Sequence, residues 1–141
     1  MSGAMIVATL LRAAEEVTAQ VPAASIKIGR LPDGTQPPAL LVRAVSSVER
    51  QPLKRGGWVR RTDRIAVTVR AKSYREQEAL IRLLNAVCPG VKGDVLSDTK
   101  RVSILAAGVG PDVSGPGDSY ERTHDFRVSY DAPTTAPQAG A

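Results

Sequence analysis

Residues 64–76, RIAVTVRAKSYRE, pass from a strand pattern into a helix start, and this passage decides the fold. Apolar and polar side chains alternate over its first half, and a period of two is typical of a half-buried β-strand. We therefore predict a strand over residues 58–72. Its predicted inward positions are Ile65, Val67, Val69 and Ala71, and its predicted outward positions are Arg64, Thr68, Arg70 and Lys72.

The helix that follows this strand is marked at both ends. Ser73 stands three residues before Glu76, which is the capping-box spacing that satisfies exposed N–H groups at a helix start. Leucine and valine then recur at helical spacing until Pro89-Gly90, a pair that ends a helix. We predict a helix over residues 74–87 with Ser73 as its N-cap.

The remaining elements follow from the same two periods. Helical spacing predicts a helix over residues 5–19, ended by Pro22. Alternating or apolar runs predict strands over residues 25–31, 39–45, 101–107 and 120–130. The order αβββαββ indicates an α+β fold, a two-layer sandwich with two helices on one face of a mostly antiparallel sheet. The predicted shared core is Val7, Leu10, Leu11, Ile65, Val67, Val69, Leu80, Leu83 and Leu84.

The composition indicates one globular domain. The chain has 141 residues, of which 43% are hydrophobic and 23% charged, values that are ordinary for a folded domain. We expect a single α+β domain over residues 1–131. Residues 132–141, APTTAPQAGA, have no charge and no large apolar side chain, so we expect a disordered C-terminal tail.

The net charge of +5 is unevenly distributed along the chain. Residues 43–75 contain ten Lys or Arg against Glu49 and Asp63, which gives +8 and leaves −3 for the remainder. Such asymmetry points to an acidic partner surface, to nucleic acid, or to an acidic patch on another copy of the chain. A charged face that keeps an edge strand from pairing wrongly is the alternative without a partner.

Residues 46–57, SSVERQPLKRGG, lose periodicity and predict an exposed loop or a long hairpin arm. We predict that residues 49–61 form a partner-docking arm, because like charges repel there unless an acidic surface receives them. Its cations are Arg50, Lys54, Arg55, Arg60 and Arg61, and the candidate acidic counter-surface on an adjacent copy is Asp112, Asp118 and Glu121.

Candidates for chemistry are few, and we expect no enzyme, no cofactor and no metal site. His124 is the only histidine, and without motif context a hydrogen-bonded or solvated side chain is the simpler interpretation. Cys88 is the only cysteine, so no internal disulfide can form, and it is expected to be a buried small hydrophobe. The glycines around Gly108-Val109-Gly110 lack a third glycine, and Pro111 removes an N–H that a phosphate loop would use.

Membrane and secretion signals are also missing from the pattern. No apolar run is long enough to span a bilayer. Residues 1–8 carry no basic n-region, so we expect a protein that is made and used inside a cell.

The strand-to-helix passage 64–76, followed by Ala79-Leu80 and Leu83-Leu84, resembles the tail terminator, or tail completion, proteins of long-tailed bacteriophages and related prophage or gene-transfer particles. The resemblance extends over residues 5–131. It implies a virion protein, assembled in the bacterial host cytoplasm, that forms a ring, usually of six copies, in the neck of the tail. That ring would cap the tail tube protein and face the head connector, with DNA only as the passing genome and with no cofactor or reaction.

Three other functions stay open at this point. Head closure is the nearest, because it is another role in the neck of the particle. A non-specific nucleic-acid-binding module would also explain the basic segment, since cations alone suffice for phosphate contact. Catalysis through His124 is the third.

Overall fold

The computed structural model describes residues 2–32, 34–50 and 56–134, which form one mixed sheet with helices packed on it. The helices are α1 (Ser2–Ala13), α2 (Glu15–Thr18) and α3 (Tyr74–Val87), with short 3-10 turns at Ala23–Ser25 and Pro116–Asp118. The strands are β1 (Ile26–Ile28), β2 (Ala39–Arg50), β3 (Trp58–Ala71), β4 (Gly90–Gly93), β5 (Lys100–Val109), β6 (Val113–Ser114) and β7 (Tyr120–Pro133).

The sheet is open and mostly antiparallel, as predicted. Within the described ranges the strand order is β1-β2-β3-β7-β5-β4, with β6 pairing the start of β7. Only the β1–β2 pairing is parallel among these strands. β3 and β7 form the centre and pair along their whole lengths, from Trp58 opposite Pro133 to Ala71 opposite Tyr120.

The core lies between α1, α3 and one face of this sheet. Ile65, Val67 and Val69 are fully buried, and Phe126 and Val128 of β7 lie beside them in the same cluster. The shared core is confirmed: the predicted residues from both helices and from β3 belong to it, with Leu10 and Leu83 only partly buried. Below, the face of the sheet that carries this cluster is called the core face, and the opposite face is called the open face.

The predicted cap of α3 is also confirmed. The Ser73 hydroxyl oxygen accepts a hydrogen bond from the Glu76 N–H at 3.1 Å. The Glu76 carboxylate in turn accepts from the Lys72 N–H at 2.9 Å. Both ends of the capping box are therefore occupied, which fixes the point at which β3 passes into α3.

The first helix differs from the prediction of one helix over residues 5–19. It begins at Ser2, and Ala14 adopts an extended conformation (φ −81°, ψ 116°) that separates α1 from α2. The chain turns at this point, and Val17 and Val21 beyond it are both buried. Burial of these two valines explains the break, because helix propensity is readily overridden by packing.

The predicted order αβββαββ is wrong in two further places, since β4 and β6 were not expected. β4 has glycine at both ends and pairs with Val102–Ile104 of β5, while β6 has only two residues. Neither segment is long enough to show a period of two, so pattern alone could not identify them.

The strands around the docking segment are longer than predicted. β2 continues to Arg50 and pairs with β3 as far as Arg60, so the described part of this segment is a long hairpin arm rather than a loop. β5 and β7 also extend beyond their predicted ends, and β7 continues to Pro133. Most of the predicted disordered tail, residues 135–141, lies outside the described residues.

Candidate functional site

The hairpin arm consists of residues 44–50 of β2, Gly56-Gly57 and residues 58–64 of β3. β7 runs beside β3 along the whole arm, and the Thr134 N–H donates to the Gly57 carbonyl at 3.0 Å at its tip. The paired strands β3 and β7, called the β3–β7 ribbon below, are flanked by β5 as far as Lys100 opposite Asp131, so the arm is stiffer than an isolated hairpin. Arg50 lies opposite Arg60 near the tip, whereas Lys54 and Arg55 lie outside the described residues.

A buried carboxylate anchors the core face of the arm. Asp63 is 1% exposed and accepts hydrogen bonds from the Gly3 N–H at 3.1 Å, from the Tyr130 hydroxyl at 2.7 Å and from the Ser47 hydroxyl. Three donors satisfy this carboxylate in place of water, as a buried charge requires. The contact with Gly3 also ties the first turn of α1 to the arm, and the peptide dipoles there favour a negative charge.

Gly3 is the residue that permits this contact. A Cβ at position 3 would clash with the Asp63 carboxylate oxygen and with its Cβ. The close approach of helix and strand therefore needs glycine here for space, not for an unusual backbone angle.

Ion pairs hold the open face of the arm. Asp131 lies between two arginines, with Arg101 Nε at 2.6 Å and Arg60 Nη1 at 3.2 Å. The Arg101 hydrogen bond, opposed by desolvation and aided by Arg60, lowers the pKa of Asp131. Arg64 donates to Asp125 at 2.8 Å in the same way. These contacts join β3, β7 and β5 across the sheet.

Two of the predicted docking cations thus have intramolecular partners. Arg60 pairs with Asp131, and Arg61 on the core face pairs with Glu49 at 3.1 Å. Arg43 and Arg50 are exposed, and neither makes an ion pair within residues 2–32, 34–50 and 56–134. Both described cations of β2 therefore have charge available to a partner.

The predicted acidic counter-surface lies at the other end of the same ribbon. Glu121 pairs with Arg70 at 2.7 Å, and Asp112 accepts from the Gln77 side chain at 2.6 Å. Asp118 is exposed in the turn before β7. Trp58 and Arg70 are twelve positions apart on β3, which separates the arm tip from this acidic set by roughly 40 Å at the usual rise per strand residue.

Gln77 and Arg122 link this acidic end to α3. Gln77 is fully buried, and its Oε1 has no partner within the described residues. Arg122 donates to Glu78 at 2.9 Å and to the Gly110 carbonyl at 2.8 Å. The acidic end is therefore braced by side chains of α3 and β7.

The sequence pattern did not identify Asp63, Asp131 or Gln77 as important residues. Asp63 did carry a signal, because the alternation of β3 places it on the inward side with Ile65, where an acid needs buried donors. The donors themselves come from positions 60 and 67 residues away, and that pairing is not visible in local pattern.

The side chains of His124 and Cys88 are both buried. His124 is 2% exposed, stacks on Phe126 at 4.2 Å between ring centroids and contacts the Asn85 side chain at 3.3 Å. Burial lowers the pKa of His124. Cys88 is fully buried, as expected, and burial raises the pKa of its thiol to about 12.

The glycine-rich stretch around Gly108-Val109-Gly110 makes a backbone hydrogen bond within the chain. The Gly110 N–H donates to the Thr123 carbonyl at 2.8 Å, so this N–H does not point to an open phosphate cradle. The described residues contain no group of three or more His, Cys, Asp or Glu that could hold a metal ion. None of the described helices has the length and apolar character needed to cross a bilayer.

Comparison with known proteins identifies a shared fold. No protein-family model and no curated protein matches the sequence. Among solved structures, the chain is similar to a chain of the virion of a native gene transfer agent particle, with a TM-score of 0.66 and 13% sequence identity. The match covers 93% of this chain and 97% of that chain. The two chains therefore share an architecture from end to end.

Proposed function

We propose that this protein is a structural subunit of a phage-like virion. The observation that carries the proposal is the similarity of fold, over nearly the whole of both chains, to a chain of a gene transfer agent virion. The surroundings of His124 and Cys88 fit a non-enzymatic role, because both side chains serve the core rather than an open cleft.

Within such a particle, we propose the role of tail terminator: a hexameric ring that caps the tail tube and joins it to the head connector. The arrangement of charge supports this role. The basic arm and the acidic set lie at opposite ends of the β3–β7 ribbon, so a ring with these strands along its axis offers unlike surfaces on its two faces, one to the tube and one to the connector. The copies themselves would lie side by side in a head-to-tail arrangement, which closes into a ring when the rotation between copies permits.

Electron microscopy of the purified protein tests this proposal. We expect closed rings, and we expect the rings to bind one end of preassembled tail tubes. Binding of the rings to isolated head connectors and not to tubes would instead support head closure. A protein that stays monomeric and binds neither structure would overturn both roles in the neck.

A DNA-retention assay separates the remaining alternative. Arg60, Arg61 and Arg64 are already paired with carboxylates, which weakens the case for phosphate binding by the arm. We expect little retention of duplex DNA at physiological salt. Strong retention that falls steeply as salt rises would favour a nucleic-acid-binding module instead.

A further inference from the structure

The two sides of the sheet end in strands that are only partly covered. On one side, β1 pairs with Leu40–Val42 of β2, and residues 43–50 beyond it are exposed. On the other side, β4 pairs with β5 over residues 102–104, and residues 105–109 continue beyond it. We call residues 43–50 the β2 edge. Within the described ranges its outer side has no strand partner.

The two short outer strands lie at different heights along the sheet. Following the paired residues across the sheet, β1 lies at the level of Val67 to Val69 of β3. β4 lies lower, with Val91 at the level of Thr62. At the level of β4, the opposite side of the sheet ends at β2, because β1 lies farther up the sheet. This leaves a recess beside the β2 edge at that level. The two sides form complementary steps, so a second copy could be placed beside the first without a collision of β1 with β4.

We propose that β4 of one copy adds to the β2 edge of the next copy, so that the sheets of neighbouring subunits become continuous. This inference rests on the proposed ring and names its subunit contact. A rotation about the ring axis leaves unchanged the direction of strands that run along this axis, which is the orientation proposed here. Four antiparallel pairings separate β2 from β4, and an even number of reversals makes the two strands point the same way within one subunit. They would therefore pair in parallel, as β1 and β2 already do.

The register places apolar side chains together in this contact. Val48, Thr62, Ser129, Ser103 and Val91 form one continuous row across the sheet. Val48 and Val91 are the two ends of that row, so both lie on the open face, and they are 67% and 89% exposed. In the proposed contact Val91 of one copy lies beside Val48 of the next. Two exposed β-branched residues at opposite ends of one row would become cross-strand neighbours if the sheet continued from one copy into the next.

Charge argues against pairing of the β2 edge with itself. In the antiparallel two-fold register centred between Ser46 and Ser47, Arg43 of each copy would lie opposite Arg50 of the other. Neither arginine has an ion-pair partner in the described part of the chain. Like charges directly opposite each other destabilise a strand pair. Unlike edges avoid this repulsion, which makes the head-to-tail contact the favoured one.

Cysteine cross-linking of the intact chain tests the contact. Single variants Val48→Cys and Val91→Cys are purified separately, mixed, and treated with a short bismaleimide. We expect cross-linked dimers in the mixture and none from either variant alone, and a ladder of oligomers from the double variant. Cys88 does not interfere, because it is fully buried and its thiol pKa is raised to about 12.

The control pairs Val48→Cys with Tyr120→Cys, an exposed position at the far end of β7. It should give no cross-link. A second pair of variants uses charge. Val91→Lys should reduce ring formation strongly, whereas Val91→Thr keeps strand propensity and should leave ring formation near wild type. Both variants should have the melting temperature of the wild type.

The outcomes separate this inference from the proposed function. Rings that form but show no Val48–Val91 cross-link would overturn the edge contact and leave the ring intact. Dimers from Val48→Cys alone would show that β2 edges meet each other, which also overturns it. A chain that remains monomeric at every concentration would overturn the ring and the edge contact together.

Discussion

The two halves of β3 share one strand, yet different interactions hold them. Residues 65–71 place Ile65, Val67 and Val69 under the helices, all fully buried in the apolar core. Residues 58–64 instead place Arg61 and Asp63 on the same face, where a carboxylate network and an ion pair supplement the apolar side chains.

In the proposed ring, this difference separates the residues that stabilise the subunit from those that are offered to partners. The core half is stabilised by area removed from water, which is largely insensitive to salt. The arm half depends on directional contacts with Gly3, Ser47 and Tyr130, so it can present cations at its tip without a core of its own. Substitutions in the two halves should therefore have distinguishable effects.

The largest effect is expected in the core half. Ile65→Ala removes a fully buried side chain and should lower the free energy of unfolding by about 2–5 kcal/mol. Val59→Ala, at an inward position of the arm that is 7% exposed, should cost less, because it removes fewer carbon atoms and Val59 lies outside the buried core cluster. Chemical denaturation measures both, and equal losses would break the comparison of the two halves.

In the arm half, Asp63→Ala should have the largest effect. It removes the acceptor that the buried Gly3 N–H and the Tyr130 hydroxyl share, at a cost of about 1–3 kcal/mol for each group that is left unsatisfied. Asp63→Asn should cost much less, since its carbonyl oxygen can still accept from both donors and its NH₂ can donate to Ser47. If the two variants are equally unstable, the negative charge matters more than the hydrogen bonds.

Substitutions at the point where β3 passes into α3 should lower the free energy of unfolding less. Ser73→Ala removes the N-cap acceptor of the Glu76 N–H and should cost about 1 kcal/mol. Ser73→Asp is the matched control and should keep the melting temperature near wild type. An unchanged melting temperature in the alanine variant would mean that the cap contributes nothing to the core half.

Acid should weaken the core half through His124. Burial lowers the folded-state pKa of His124, so the unfolded chain binds more protons below the ordinary histidine pKa of about 6.5. The stability from this group is therefore present above about pH 6.5 and is lost as the pH falls below it. His124→Gln should remove this part of the slope between pH 7 and pH 5, as measured by denaturation at both values.

The smallest effect on stability is expected from the predicted docking cations. Replacing Arg50, Lys54 and Arg55 together by serine should leave the melting temperature nearly unchanged, because the prediction gives these cations a partner outside the subunit and surface ion pairs contribute only about 0–1 kcal/mol each. Particle assembly should nevertheless be abolished. The matched control replaces Lys72, Arg75 and Arg82, three exposed cations near α3, and should assemble normally. Unfolding of the first variant, or normal assembly by it, would show that the tip does not dock a partner.

The sequence pattern correctly predicted those elements in which apolar residues recur at a helical or a strand period over several residues. The inward positions of β3, the apolar face of α3 and the Ser73 cap are confirmed for that reason. The break at Ala14 and strands β4 and β6 were missed, because a single extended residue and strands of four and two residues carry no period.

The candidate site was only partly accessible to the same reasoning. The basic segment was identified from charge alone, yet the partners of Arg60 and Arg61 come from strand register and could not be predicted. The anchor at Asp63 likewise depends on Gly3 and Tyr130, which lie far away in the chain. Register is a tertiary property, so local sequence leaves it open.

The full-length pairing of β3 with β7 has a mechanical consequence. Fourteen residues of each strand face one another, from the arm tip to the start of α3. A pull along the strand axis loads all of these hydrogen bonds together in shear, whereas a pull across the sheet would peel them one after another. A subunit held between two larger bodies along this axis would therefore resist tension best in the direction in which its arm points.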